Sequence, residues 1–155
     1  MSVRATPIDL RQNFRWALEI DGFRPALFTK CDMPEENVGI VEFNQAGTLH
    51  PTKYPGRHTY NDIEIEKGIL LNEADTAVYD WLRSSGDPSS GTSLPRSRII
   101  KNVDILHLNT DGSVIERFTL VNAWVSKGGI NSLEGGNQDH MIEKMTITYD
   151  YYVRT

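Results

Sequence analysis

The sequence predicts a mainly β fold: an antiparallel β-sandwich or small barrel with one α-helix flanking it. Three observations lead there. Apolar and polar residues alternate at period two through most of the chain. Turn signals such as Asp21-Gly22 and Asn109-Thr110-Asp111-Gly112 separate the alternating runs. Only one segment has a helical period. The chain holds 155 residues and no internal repeat, so it reads as a single domain over 1–155. At this size a chain buries about 70% of its unfolded surface, which is enough for a self-sufficient core.

Residues 1–13 read as an N-terminal arm. The first strand follows, with Phe14, Trp16, Leu18 and Ile20 alternating with Arg15, Glu19 and Asp21 around it. Asp21-Gly22 accepts positive φ, so Arg24–Asp32 is expected to return beside that strand as a hairpin. Val38–Asn44 is strand-like, with Val41 and Phe43 opposite Ile40 and Glu42. Residues 45–58 contain Gly47, Pro51, Pro55 and Gly56 and are predicted as a long loop. Thr59–Lys67 alternates again, Ile63 and Ile65 against Asp62, Glu64 and Glu66.

The helix is expected to start at Asn72, with Glu73 and Asp75 in its first turn. Ala74, Val78, Trp81 and Leu82 share its face, Arg83 sits in its last turn and Gly86 stops it. Residues 84–97 are Ser, Gly and Pro with little to bury and read as a flexible surface loop. Val103–Leu108 and Val114–Val125 form the next hairpin, and Val114, Phe118, Leu120 and Trp124 fall on one face. Ser126–His140, with two Gly pairs, is expected to be loop. Met141–Val153 closes the chain, with Met145, Ile147, Tyr149, Tyr151 and Val153 facing one way. The total is seven strands and one helix. Trp16, Phe28, Phe118, Trp124 and Tyr149 are expected in the core.

Composition narrows the function. Lys plus Arg is 16 and Asp plus Glu is 21, a net charge of -5, which argues against a sequence-independent nucleic-acid binder. One cysteine, Cys31, excludes an intrachain disulfide framework. Arg4 and Arg11 lie in an N-terminus without an apolar stretch, so no secretory signal is expected and synthesis is expected in a cytoplasm. The longest aliphatic run, Ile69-Leu70-Leu71, is far from a membrane span.

Catalytic chemistry is hard to find. There is no Gly-x-Ser-x-Gly elbow, and Cys31 stands beside Asp32, which disfavours a thiolate. His50, His58, His107 and His140 are scattered without metal-ligand spacing. Gly128-Gly129 and Gly135-Gly136 precede no helix, so they form no phosphate cradle. No catalytic residue, metal or cofactor is therefore expected. Asp62, Glu64 and Glu66 recur on one strand face at about 6.6 Å. With Glu42 they read either as a solvated sheet face or as an acidic wall. Copies of such a strand pairing edge to edge around an axis would make an acid-lined ring, and DNA phosphates would slide through it without sticking.

Several segments together resemble the tail-tube proteins of contractile phage tails. Phe14–Gly22 followed by Ala26-Leu27-Phe28 resembles that family's opening hairpin. Tyr54-Pro55-Gly56-Arg57-His58-Thr59-Tyr60 resembles its Leu-Pro-Gly-x-x-x-Tyr stretch, followed by a strand ending in Lys67-Gly68. The helix around Tyr79-Asp80-Trp81 has an aromatic counterpart. Val121-Asn122-Ala123-Trp124 with Ser126-Lys127 resembles Asn-Ala-Trp-Pro, with Val125 in place of Pro. Ile142-Glu143-Lys144-Met145 opens the counterpart of its last strand, where Asp150-Tyr151 replaces His-Glu.

The resemblance implies hexameric rings stacked into a hollow tube inside a contractile sheath, with strands from every subunit closing a β-barrel around the lumen. Implied partners are the chain itself, the sheath protein, baseplate or initiator and tail-terminator proteins and the tape-measure protein. DNA would pass without specific binding, no membrane is involved, and the tube would belong to a virion tail assembled in a host cytoplasm. On this reading Glu42, Asp62, Glu64 and Glu66 line the lumen. Ring-to-ring contacts come from the arm with Arg4 and Arg11, and from the 45–58 segment with His50, Lys53, Tyr54 and Arg57. Three alternatives stand beside it: an inner-tube subunit of a bacteriocin or contractile injection system, a monomeric β-sandwich binding module using Trp81 or the 126–140 loop, and an enzyme using His58, Asp62 and Glu64.

Overall fold

Alternation becomes strand nearly wherever the sequence shows it. The structure is a computed structural model that describes residues 10–21, 28–69, 77–130, 132, 135–136 and 140–155. Its strands are β1 (Trp16–Ile20), β2 (Phe28–Cys31), β3 (Glu36–Phe43), β4 (Thr52–Tyr60), β5 (Ile63–Gly68), β6 (Lys101–Leu108), β7 (Val114–Ile130), β8 (Ile142–Thr148) and β9 (Tyr151–Arg154), with helices α1 (Ala77–Ser84) and α2 (Arg96–Ile99). The Asn72 cap, Glu73, Ala74 and Asp75 lie outside the described residues, as do Arg4 and Arg24–Leu27.

Two layers share one long strand. β7 pairs with β6 and β9 over its first half, and β6 pairs with β1. Over its second half β7 pairs with β8, which pairs with β5, which pairs with β2. Leu18, Val103, Ile105, Phe118 and Leu120 of the first layer pack with Ile63, Ile65, Val125, Met145 and Ile147 of the second in one core. The sheet does not close: its path ends at the free margins β1 and β2, β9 pairs with β7 alone, and the second half of β7 pairs only with β8.

The predicted hairpin of the first two strands does not form. β1 instead pairs with β6, and Asp21, at φ 50°, accepts a hydrogen bond from the Asn102 backbone N–H, which extends that pairing. Phe14 is 70% exposed and precedes the strand.

β7 breaks its own alternation at Asn122. Val121 and Asn122 together oppose Asn102 alone, between the pairs Lys101–Ala123 and Val103–Leu120. Asn122 takes φ 56°, a left-handed value that asparagine tolerates better than most residues. The inserted residue moves the side chains that follow it to the other face, until a second register shift at Ser126 reverses the phase again. Ala123 and Val125 are buried, and Trp124 is half-buried on the outer face rather than in the core. The last strand breaks opposite this point. Asp150 donates its N–H to Val121 O, and its carboxylate accepts from Asn122 Nδ2 at 2.9 Å and Arg96 at 2.8 Å. Past this break Tyr152 packs against the core while Tyr151 and Val153 are exposed.

Two predicted loops are partly ordered. Ser126–Ile130 belongs to β7, and a Cβ at Gly128 would meet Leu82 Cδ2 at 3.1 Å, so glycine there lets α1 lie close on the sheet. In 84–97, Asp87 and Thr92 bridge, Asp87 accepts from the Ser89 N–H and hydroxyl, and α2 follows. Trp81 is buried and donates Nε1–H to Ile99 O at 2.7 Å, so its ring is no platform for a ligand.

Candidate assembly surfaces

The predicted 45–58 loop is largely strand. β4 pairs with β3 from Glu36–Tyr60 to Phe43–Thr52, leaving residues 44–51 as the turn. Since β2 leads into β3 and β4 into β5, the whole is one long hairpin. Its base belongs to the core sheet, and its outer part stands beyond it as a separate two-stranded sheet. Gly39 alone opposes Gly56 and Arg57, a bulge where a Cβ at Gly39 would lie 3.1 Å from Arg57 O. Pro55 and Gly56 therefore mark a bend in a strand rather than a loop.

This hairpin leaves apolar surface uncovered. Val41, Phe43 and Tyr54 share one face at 54%, 58% and 53% exposure. Ile40 is 69% exposed on the other face. Leu49 at the turn is fully exposed. An isolated two-stranded sheet is marginal in water, and a contiguous apolar face of this kind marks an interaction surface. His50, Lys53 and Arg57 are exposed along it with Tyr54. At its base Glu36 accepts from His58 and from the Tyr60 hydroxyl, bonds that hold its carboxyl below the usual range.

The four predicted lumen acids do not form one row. Glu42 lies on the outer hairpin opposite Lys53. Asp62 falls in the break between β4 and β5, outside either strand. Glu64 and Glu66 share the outward face of β5, opposite the buried Ile63 and Ile65. That face is not purely acidic. The register sets Lys30 and Lys144 on either side of Glu66, at 3.7 Å for Lys144, and Thr146 then Lys127 beside Glu64. Asp32, whose N–H donates to Glu64 O, stands opposite Glu64, so three lysines face three carboxylates.

Arg11 is engaged within its own subunit. Arg11 and Arg154 both donate to the buried Glu116 carboxylate, tying the start of the described chain to β9 across β7. These bonds, that from Arg154 foremost, hold the Glu116 pKa at about 2, against an ordinary 4.5. A folded pKa below the unfolded one makes the contribution complete above the ordinary value and lost as pH falls through the folded one. The NMR signal of the Arg154 Nε–H is expected to keep its bonded position to about pH 3 and to lose it near pH 2. In a Glu116→Gln variant it is expected at a less strongly bonded position already at pH 7.

Between the free margins β1 and β2 opens a groove of about 480 Å³. Trp16, Ile105 and Phe118 form its apolar side, and Arg11, Arg15, Arg154 and Glu116 border it. Cys31 also lines it, and burial, with Asp32 adding, pushes that thiol up to about 12, which makes it inert. Among the described residues no three His, Cys, Asp or Glu gather to hold a metal. His58 is bound to Glu36 in the hairpin while Glu64 lies on the β5 face, so the enzyme alternative gains no clustered site. No helix among the described residues is long and apolar enough to cross a membrane.

Open sheet margins and an uncovered apolar hairpin define a protein built to join others: a structural assembly subunit. The chain belongs to the T4-like virus tail tube protein gp19 family, whose model matches residues 12–153. It is a tail-tube structural subunit. Its fold is similar to that of a chain in the anti-feeding prophage cap (AFP tube terminating cap), with TM-score 0.82, 17% identity and coverage of 99% of this chain and 95% of that one. A chain of the extended sheath-tube complex of the PVC extracellular contractile injection system gives TM-score 0.78 at 15% identity, covering 94% and 91%. Hcp1 from Flavobacterium johnsoniae gives 0.52 at 12%, covering 91% and 94%. No curated protein sequence matches.

Proposed function

We propose that copies of this chain close into hexameric rings that stack as a hollow tube inside a contractile sheath. The observation that carries this is the pair of unpaired margins on the second layer. β2, continued by β3, has a free edge, and so does the second half of β7. Joining these edges between copies continues one sheet around an axis and leaves neither of the two open. The contact is heterologous, so it closes a ring or winds a filament. The apolar face of the β3–β4 hairpin, with His50, Lys53 and Arg57 around it, makes the contact to further copies. Arg11, paired with Glu116 in its own subunit, keeps half of its side chain exposed for such a contact.

The outward face of β5 and β8 then lines the lumen, with Glu64 and Glu66 among Lys30, Lys127 and Lys144. Glu42 extends it along the hairpin and Asp62 lies at its bend. Its charge is compensated, so a polyanion meets neither a strong attraction nor a uniform repulsion. Sheath, baseplate and terminator proteins are the partners this role requires, with a tape-measure protein and DNA inside a phage tail. An extracellular injection device is the second reading, favoured by likeness in fold to the anti-feeding prophage and PVC chains.

Electron microscopy of concentrated protein should show hollow rods; a monomer at every concentration overturns the reading. Glu64→Lys with Glu66→Lys leaves five lysines on this face. In phage particles it is expected to leave tubes intact and slow DNA ejection about tenfold, a loss of about 1.4 kcal/mol. Unchanged ejection places the lumen on another face.

A further inference from the structure

We propose that the groove between β1 and β2 receives α1 of the next copy of this chain, with Tyr79 entering the groove and Asp80 meeting Arg15. The inference rests on ring closure through the β2 and β7 margins. α1 lies on the core side of the second half of β7, where Leu82 crosses Gly128. When that half-strand of one copy lies beside β2 of another, about 4.8 Å away, whatever covers its inner face continues over the inner side of β2. The groove opens on that side: Cys31, whose partner Ile65 is buried in the core, lines it with Trp16 and Phe118.

Chemistry matches geometry. Three arginines border the groove with one glutamate, so it keeps positive charge. The charged residues of α1 are Asp80 and Arg83, and the Arg83 guanidinium lies over the Tyr79 ring, which leaves Asp80 as the group that answers the groove's charge. On α1 Tyr79 is 52% exposed and Asp80 is exposed. An aromatic side chain is an effective anchor for such a pocket, and opposite charges at its rim set the register.

Charge exchange tests this. Asp80→Arg alone and Arg15→Glu alone are each expected to cut the yield of hollow rods about tenfold, with circular dichroism unchanged, because like charges then face each other. The chain carrying both is expected to recover most of the wild-type yield. Single reversals without effect, or a double variant no better than either, overturn the docking while wild-type rods keep the ring reading. If a reversal unfolds the chain, a second pair decides. In rods of Cys31→Ser chains carrying Tyr79→Cys and Met33→Cys, a short bifunctional thiol reagent is expected to give a ladder of linked subunits. Rods without a ladder overturn the docking. Wild-type protein that never forms rods removes the ring reading and the docking with it.

Discussion

Replacing Val41 and Tyr54 with aspartate is expected to abolish tubes and leave the isolated chain as stable as wild type. Both side chains stand on the outer hairpin, half exposed and outside the core cluster, so the lone subunit loses little by the change. In an assembly that covers this face, each is worth about 1.5–3 kcal/mol of burial, and each new carboxylate must also be stripped of water. A combined loss of at least about 4 kcal/mol per subunit raises the concentration needed for assembly by about a thousandfold. Sedimentation of the purified protein measures that concentration, and thermal melting of the monomer checks the fold. Tubes of ordinary yield from this variant would place the hairpin outside every contact. The neighbouring Lys53 faces Glu42 across the hairpin, and its replacement by alanine should do far less, because an exposed pair contributes little.

What the sequence hid follows one pattern. Local alternation made most of the strands legible, and the buried positions Leu18, Ile63, Ile65, Leu120, Met145 and Ile147 fall where period two puts them. Alternation carries no record of inserted residues, however. Strict alternation puts Trp124, Tyr151 and Val153 inside, whereas a bulge at Asn122 and a break at Asp150 each shift the phase and turn them outward. The hairpin has the composition of a loop because Pro51, Pro55 and Gly56 are ordinary loop residues. Only the register shows Gly56 and Arg57 sharing one partner, with Pro55 paired in a strand at the margin of its sheet. The mixed charge of the β5 face is hidden for a different reason. Glu64 and Glu66 are close in sequence, whereas Lys30, Lys127 and Lys144 reach the same face from three other strands. Strand pairing between distant segments, which puts them there, has no local signature.

The bulge at Asn122 is accordingly the most consequential single position in the chain, and removing it tests the account of the fold directly. Deleting Asn122 restores strict alternation in β7 as far as Val125. Phe118 and Leu120 stay inside, but Val125 and Ala123 must turn outward and Trp124 inward. Exposing Val125 and Ala123 costs about 2–4 kcal/mol. Forcing an indole into a filled interior adds about 1–3 kcal/mol. The tie from Asn122 to Asp150, which links β7 to the turn before β9, is lost as well. A total near 5 kcal/mol approaches the whole stability of an ordinary domain, so the deleted chain is expected to be unfolded or molten at room temperature. Asn122→Gly keeps the inserted residue and suits a φ of 56°. It gives up only the side-chain hydrogen bond, about 1 kcal/mol, so urea unfolding should find it nearly native. Asn122→Val also keeps the count of residues but must hold a β-branched side chain in left-handed backbone, which places it between the two at about 2–3 kcal/mol. The order deletion, valine, glycine separates register from chemistry. If the deletion unfolds no more easily than the glycine variant, β7 does not depend on the extra residue to pass from one layer to the other.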